Sequence, residues 1–132
     1  MARPTSRHPT ELELEILKIL WRQGPASGCQ VRDALAPARE LAYTSVMTIL
    51  NIMTRKGYVR RKKEASGYVY RAAVAQDAAE RGMLQDMVDR VFDGSAVAVV
   101  QHLIETSGLD ADELTRIRQL IARKAKEQGN DE

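Results

Sequence analysis

Thr44, Thr48, Asn51 and Arg55 recur at spacings of four, three and four residues. On an α-helix that spacing stacks the four side chains along one face. Taking Val46 as the inward reference at about 100° per residue, Ile49, Leu50 and Met53 fall with it on the opposite side. The polar stripe carries short hydrogen-bonding groups and one guanidinium. Such a face is either an ordinary wet surface or one that bonds to the base edges and phosphates of a nucleic acid. Directly after it, Arg55, Lys56, Arg60, Arg61, Lys62 and Lys63 fall within nine residues that contain no acid. A run of this kind is a solvated face or a contact for a polyanion. Its position beside the stripe favours the polyanion.

Charge along the whole chain points the same way. The net charge is +2, but residues 1–74 hold 13 basic against six acidic side chains, and residues 75–132 hold seven against twelve. A basic front and an acidic rear imply two different jobs.

Catalytic groups are scarce. His8 lies in a polar, aperiodic N-terminal stretch, His102 lies in an apolar helical segment, and Cys29 has no sequence-local partner. His102 reads as a packed or interface histidine and Cys29 as a small buried residue. One cysteine cannot form an internal disulfide and is too few for a cysteine metal site. There is no glycine-rich phosphate loop, no H-E-x-x-H and no nucleophile elbow. The expectation is therefore no enzyme, no metal and no cofactor. No apolar run approaches the roughly 20 residues of a membrane span. Met1-Ala2-Arg3-Pro4 lacks the apolar stretch of a secretory signal, so a cytoplasmic protein is expected.

The elements that must position the stripe can be read in order. Residues 1–8 suggest a flexible arm. Thr10-Glu11-Leu12-Glu13 has the form of a capping box, followed at helical spacing by Ile16, Leu17, Ile19 and Leu20, and Gly24-Pro25 ends that helix. Ser27 to Gln30 repeats the box and opens a short helix whose inward residues are Val31, Ala34 and Leu35, stopped by Pro37. A third helix runs from Tyr43 to Lys56 and ends at Gly57. Tyr58 to Lys63 reads as a strand, Glu64-Ala65-Ser66-Gly67 as a turn, and Tyr68 to Arg71 as the returning strand. Three helices and a basic two-stranded hairpin are the order of a winged helix-turn-helix, in which the third helix enters the major groove. This assigns residues 9–74 to a DNA-binding domain.

Beyond Val74 the chain turns acidic and helical. A helix over 76–92 carries Met83, Leu84, Met87, Val88, Val91 and Phe92. A second, from Ala96 to Glu105, carries Val97, Val100, Leu103 and Ile104. A third, capped by Asp110-Ala111-Asp112-Glu113, carries Leu114, Ile117 and Ile121, and residues 128–132 read as a disordered tail. Fifty-odd residues cannot close a comfortable core alone. The stripes are expected to meet those of a second copy about a two-fold axis, making residues 75–127 a dimerisation domain. The other possibility is that they fold back on the winged domain as one monomeric core. The whole is mainly α with a small β-hairpin wing.

These residues resemble the BlaI/MecI-type penicillinase repressors, a family that also includes CopY-type copper-responsive repressors. The resemblance covers roughly residues 9–127. It is carried by Glu13 to Trp21, by Leu41 to Leu50, by Arg55-Lys56-Gly57-Tyr58 and by Tyr68-Val69-Tyr70. It implies a homodimeric repressor on an inverted-repeat operator, with Tyr43, Thr44, Ser45 and Thr48 on the groove-reading part of the third helix. The DNA-contacting set expected is these four with Asn51, Arg55, Lys56, Arg60, Lys62, Lys63, Ser66 and Tyr68. An RNA- or protein-binding winged helix is the alternative. Ile52 stands where the family often carries Arg, and Ala65-Ser66 where the wing turn commonly reads Gly-Arg. Penicillinase-type members are inactivated by cleavage near an Asn-Phe pair, which brings in a protease as a partner by resemblance. Here the matching pair is His102-Leu103. The C-terminal Cys-x-Cys pairs of CopY-type members are absent.

Overall fold

The structure, a computed structural model, describes residues 8–130. The elements in order are α1 (Glu11–Gln23), β1 (Ala26–Ser27), α2 (Gly28–Leu35), α3 (Tyr43–Lys56), β2 (Val59–Glu64), β3 (Gly67–Ala72), α4 (Gln76–Val91), α5 (Ala96–Thr106) and α6 (Ala111–Asn130). They fall into two compact units, one ending at Met87 and the other beginning at Val88.

In the first unit the helix starts are fixed by their caps. Thr10 Oγ1 accepts from the Glu13 amide at 3.2 Å, and Glu13 Oε1 accepts from the Thr10 amide at 2.8 Å. Ser27 and Gln30 repeat the exchange at the start of α2. Each box satisfies two amides that an α-helix leaves unpaired at its first turn. The apolar stripes of the three helices then converge. Ile16 and Leu17 of α1, Val31 of α2, and Val46, Leu50 and Met53 of α3 are fully buried with Val59 and Tyr70 of the sheet. Each such aliphatic side chain stabilises the fold by about 1.5–3 kcal/mol through water removed from its surface.

Two glycines set how α3 is mounted. At Gly28 a Cβ would lie 2.5 Å from Met47 Sδ and 3.3 Å from Tyr43 Cε1, so the start of α2 is packed against the first turns of α3. Gly57 takes φ 84°, ψ 12°, the left-handed cap that glycine adopts without strain, while the Tyr58 amide donates to the Met53 carbonyl at 2.9 Å. That cap turns the chain from α3 directly into β2.

The sheet has three antiparallel strands in the order β1-β3-β2. Arg61 faces Tyr70, Lys63 faces Tyr68, and Glu64 faces Gly67 across the two-residue turn Ala65-Ser66. The sequence suggested a two-stranded hairpin. The third strand pairs Ala26 with Tyr70 and Ser27 with Val69, and two residues carry no alternation by which a strand could be recognised.

In the second unit, Ser95 caps α5 by accepting from the Ala98 amide at 3.1 Å, and Asp110 caps α6 by accepting from the Glu113 amide at 2.8 Å. Phe92 and His102 meet with ring centroids 5.3 Å apart. Among its described residues only Val88 and Val99 are buried. α6 continues through Asn130, where the sequence suggested disorder from residue 128. Lys126, Glu127 and Gln128 are good helix formers and extend it.

Residues 1–7 of the expected arm lie outside the described residues. His8 is held: its Nε2 sits 2.8 Å from Asp86 Oδ2, and its Nδ1 is 3.1 Å from the Pro9 carbonyl oxygen. Cys29 is exposed rather than buried. The inward positions of α2 are Gly28, Val31 and Leu35, and residue 29 lies about 100° away from that line.

Candidate nucleic-acid interface

The outward face of α3 carries Thr44, Ser45, Thr48, Asn51 and Arg55, all exposed, and Tyr43 at its first turn is 43% exposed. The same helix buries Val46, Leu50 and Met53, so packing of one face dictates presentation of the other. Thr48 Oγ1 donates to the Thr44 carbonyl at 2.9 Å. That bond uses the hydroxyl proton and leaves the oxygen lone pair and the methyl for a partner.

The wing is basic on both faces. By register, Arg60, Lys62 and Arg71 share one face, and Arg61, Lys63 and Tyr68 share the other. The guanidinium carbon of Arg61 lies 4.5 Å from the centre of the Tyr68 ring. An arginine at that distance is attracted to the negative face of the ring and loses freedom before any ligand arrives. Among the described residues, none of Arg55, Arg60, Arg61, Lys62, Lys63 and Arg71 lies within ion-pair distance of a carboxylate. Ser66 is exposed at the tip.

Sequence reasoning assigned Lys56 to this set, and the structure uses it elsewhere. Its Nζ lies 3.0 and 3.1 Å from the two carboxylate oxygens of Glu13, which is itself buried. A carboxylate removed from water needs a cation and hydrogen bonds, and Lys56 with the Thr10 amide supplies both. Beside them, burial pushes the Tyr58 phenol above its usual pKa, the Lys56 ammonium opposes the shift, and the Glu13 carboxylate adds to it. Conversely, Arg61, part of the basic run but left out of the expected DNA-contacting set, and Arg71 are both exposed on the wing. The signal for Arg61 was its two-residue spacing to Lys63 opposite an aromatic strand.

The residues assigned to dimerisation divide by burial. Leu84, Met87, Val91, Val97, Val100, Leu103, Ile104, Leu114 and Ile121 are exposed, and Leu120 joins them. Met83, Phe92 and Ile117 are half-buried, and Val88 is buried within its own chain. Between α5 and α6 these side chains leave an open apolar groove of about 460 Å³, floored by Val97, Val100, Ile104 and Ile121. Among the described residues no helix is long and apolar enough to cross a membrane, and no group of His, Cys, Asp and Glu could hold a metal ion.

A three-helix core, whose third helix presents a hydrogen-bonding stripe beside a basic wing, defines a winged-helix regulator of transcription. The comparison with known proteins narrows the class. The penicillinase repressor family profile matches residues 9–123. The transcriptional regulator BlaI of Mycobacterium tuberculosis is 32% identical over 122 residues, covering 91% of this chain and 87% of that protein. The methicillin resistance regulatory protein MecI of Mammaliicoccus sciuri is 21% identical over 112 residues, covering 85% and 91%. Among solved structures, a cysteine-to-serine mutant of MarR from E. coli superposes with a TM-score of 0.50 at 16% identity, covering 89% of this chain and 78% of that one; the likeness is one of fold. The chain belongs to the penicillinase repressor family, and it is a DNA-binding transcriptional repressor.

Proposed function

We propose that the protein binds an inverted-repeat operator as a homodimer in the cytoplasm, blocks transcription by occupying the promoter, and catalyses no reaction. The observation that carries the reading is the exposed stripe of α3 set beside a wing whose cations, among the described residues, have no carboxylate partners. α3 enters the major groove, where Thr44, Ser45, Thr48 and Asn51 meet base edges or phosphates and Tyr43 packs on a sugar or a thymine methyl. Arg55, Arg60, Lys62, Lys63, Ser66 and Tyr68 meet the backbone, and displaced counterions make binding salt-dependent.

The dimer is supported by the second unit. With only Val88 and Val99 buried among its described residues and Val97 77% exposed, its helices leave uncovered the apolar faces that a helical domain ordinarily buries. The winged-helix domain spans residues 9–74 and the dimerisation domain 75–127. The pair His102-Leu103 lies inside helix α5 and departs from the family's Asn-Phe.

The test is recovery of duplex fragments on the purified protein, sequencing of what is retained, and anisotropy titration on the recovered site and on structured RNA. Enrichment of a two-fold symmetric sequence, with weaker binding to RNA, is the expected result. Retention of no symmetric sequence, or a preference for RNA, overturns it.

A further inference from the structure

One face of the wing continues the core. Val59 and Tyr70 are buried in one cluster with Val46, Leu50 and Met53, so that face of the hairpin looks toward α3. Arg61 stands directly opposite Tyr70, and Lys63 opposite Tyr68, so both extend the same face past the core toward the tip. The one carboxylate between Val59 and Ala72 is Glu64, which lies on the other face with Lys62, Val69 and Arg71. The face of Arg61 therefore carries no acid from the hairpin. Arg61 is exposed, and its guanidinium carbon rests 4.5 Å from the centre of the Tyr68 ring.

We propose that Arg61, positioned by Tyr68, is a specificity-determining residue that enters the minor groove beside the site of α3 and selects A·T-rich DNA there. The inference rests on the DNA-binding reading and names the part of the duplex that this side chain reads. Through Gly57 and Tyr58, α3 leads directly into β2, so with α3 in a major groove the wing stands over the minor groove next to it. Two strands about 4.8 Å apart, with their side chains, are too broad for a groove about 6 Å wide, and a single extended side chain is not. A·T tracts narrow that groove and deepen its negative potential, whereas guanine obstructs it with an exocyclic amino group. Of the two cations on this face, the guanidinium suits the task. It is more weakly hydrated than the Lys63 ammonium, and the ring already restrains it, so insertion costs less water and less freedom.

The test uses the full chain and duplexes that share the recovered site and differ only in their flanks. In anisotropy titrations, A·T flanks should bind at least about threefold tighter than G·C flanks. Inosine·cytosine flanks, which lack the exocyclic amino group but keep the major-groove edge of G·C, should bind like A·T. Diaminopurine·thymine flanks, which add that group to A·T, should bind like G·C. Arg61→Ala should lose the preference. Arg61→Lys should lose it too while keeping the slope of log affinity against log salt, because the charge is unchanged. Tyr68→Leu should reduce the preference, and Tyr68→Phe, which keeps the ring, should retain it. A preference that follows the major-groove edge, or that survives in Arg61→Ala or Arg61→Lys, overturns the assignment. A full preference in Tyr68→Leu overturns the positioning by Tyr68. Equal binding of the site with every flank overturns the role of Arg61 alone, whereas retention of no duplex overturns the DNA-binding reading itself.

Discussion

Thr48 offers three separable features: a hydroxyl proton already bonded to the Thr44 carbonyl, an oxygen lone pair, and a methyl. If the methyl is what the operator meets, Thr48→Val should keep discrimination between operator and scrambled duplex. Thr48→Ser should then lose about as much as Thr48→Ala, roughly fourfold for a single buried methyl. Parallel anisotropy titrations of the three variants decide it, and a Val variant as weak as Ala would place the contact on the hydroxyl. Lys56 and Glu13 make a different single-residue case. Lys56→Met strands a carboxylate that is buried between helices, and should cost about 2–3 kcal/mol in urea unfolding, below the full range for a buried pair because the lysine is partly exposed. Glu13→Gln combined with Lys56→Met should recover part of that loss, because the amide keeps an oxygen for the Thr10 cap. Tyr70 is the converse. Its hydroxyl is buried with no hydrogen-bond partner among the described residues, and such a group costs about 1–3 kcal/mol. Tyr70→Phe should leave the unfolding midpoint unchanged or raise it.

The limits of α3 follow from local signals, since an apolar face of period 3.6 begins at Tyr43 and the glycine at 57 cannot continue it. The two-stranded wing is legible for the same reason, a change of period between turn residues. What sequence could not give is pairing at a distance. Glu13 and Lys56 are 43 residues apart, and nothing local tells that the basic run's second cation is structural while Arg61 is held in place by Tyr68. Strand β1 escapes notice because its only signature is a partner strand more than 40 residues downstream. The wing as an element is tested by its salt response. Lys62→Ala with Lys63→Ala should weaken operator and scrambled duplex alike and flatten the slope of log affinity against log salt by up to about two units. Arg61→Ala and Tyr68→Leu should each weaken binding, and the double variant should lose less than the sum of the two. Additive losses would mean that the ring does not position the guanidinium. At the other end of α3, Gly28→Ala must displace Met47 and Tyr43. It should lower operator affinity more than it lowers stability.

At the scale of the molecule, the change of charge after Val74 and the change of burial after Met87 run in the same direction. The basic first unit has a closed core of its own, and the residues from Val88 onward leave most of their apolar side chains in water. A second copy covering that surface would explain both its stability and the placement of two reading heads on one duplex. Val97 and Ile121 line the same groove, so Val97→Glu and Ile121→Glu should each place a charge where burial is expected and lower the mass measured by light scattering from dimer to monomer at micromolar concentration. Thermal unfolding of the unmodified protein should rise in temperature with protein concentration, since only the dimer buries these faces, and that dependence should vanish in the variants. Operator affinity should fall steeply in both, because loss of one half-site forfeits much of the roughly 4–10 kcal/mol that separates specific from non-specific binding. The wing variants supply the control: Lys62→Ala with Lys63→Ala should change the salt slope and leave the mass untouched. If a Glu variant instead stays dimeric yet loses the operator, the groove lies outside the two-fold contact, and the partner surface must be sought among Leu84, Met87 and Val91 of α4.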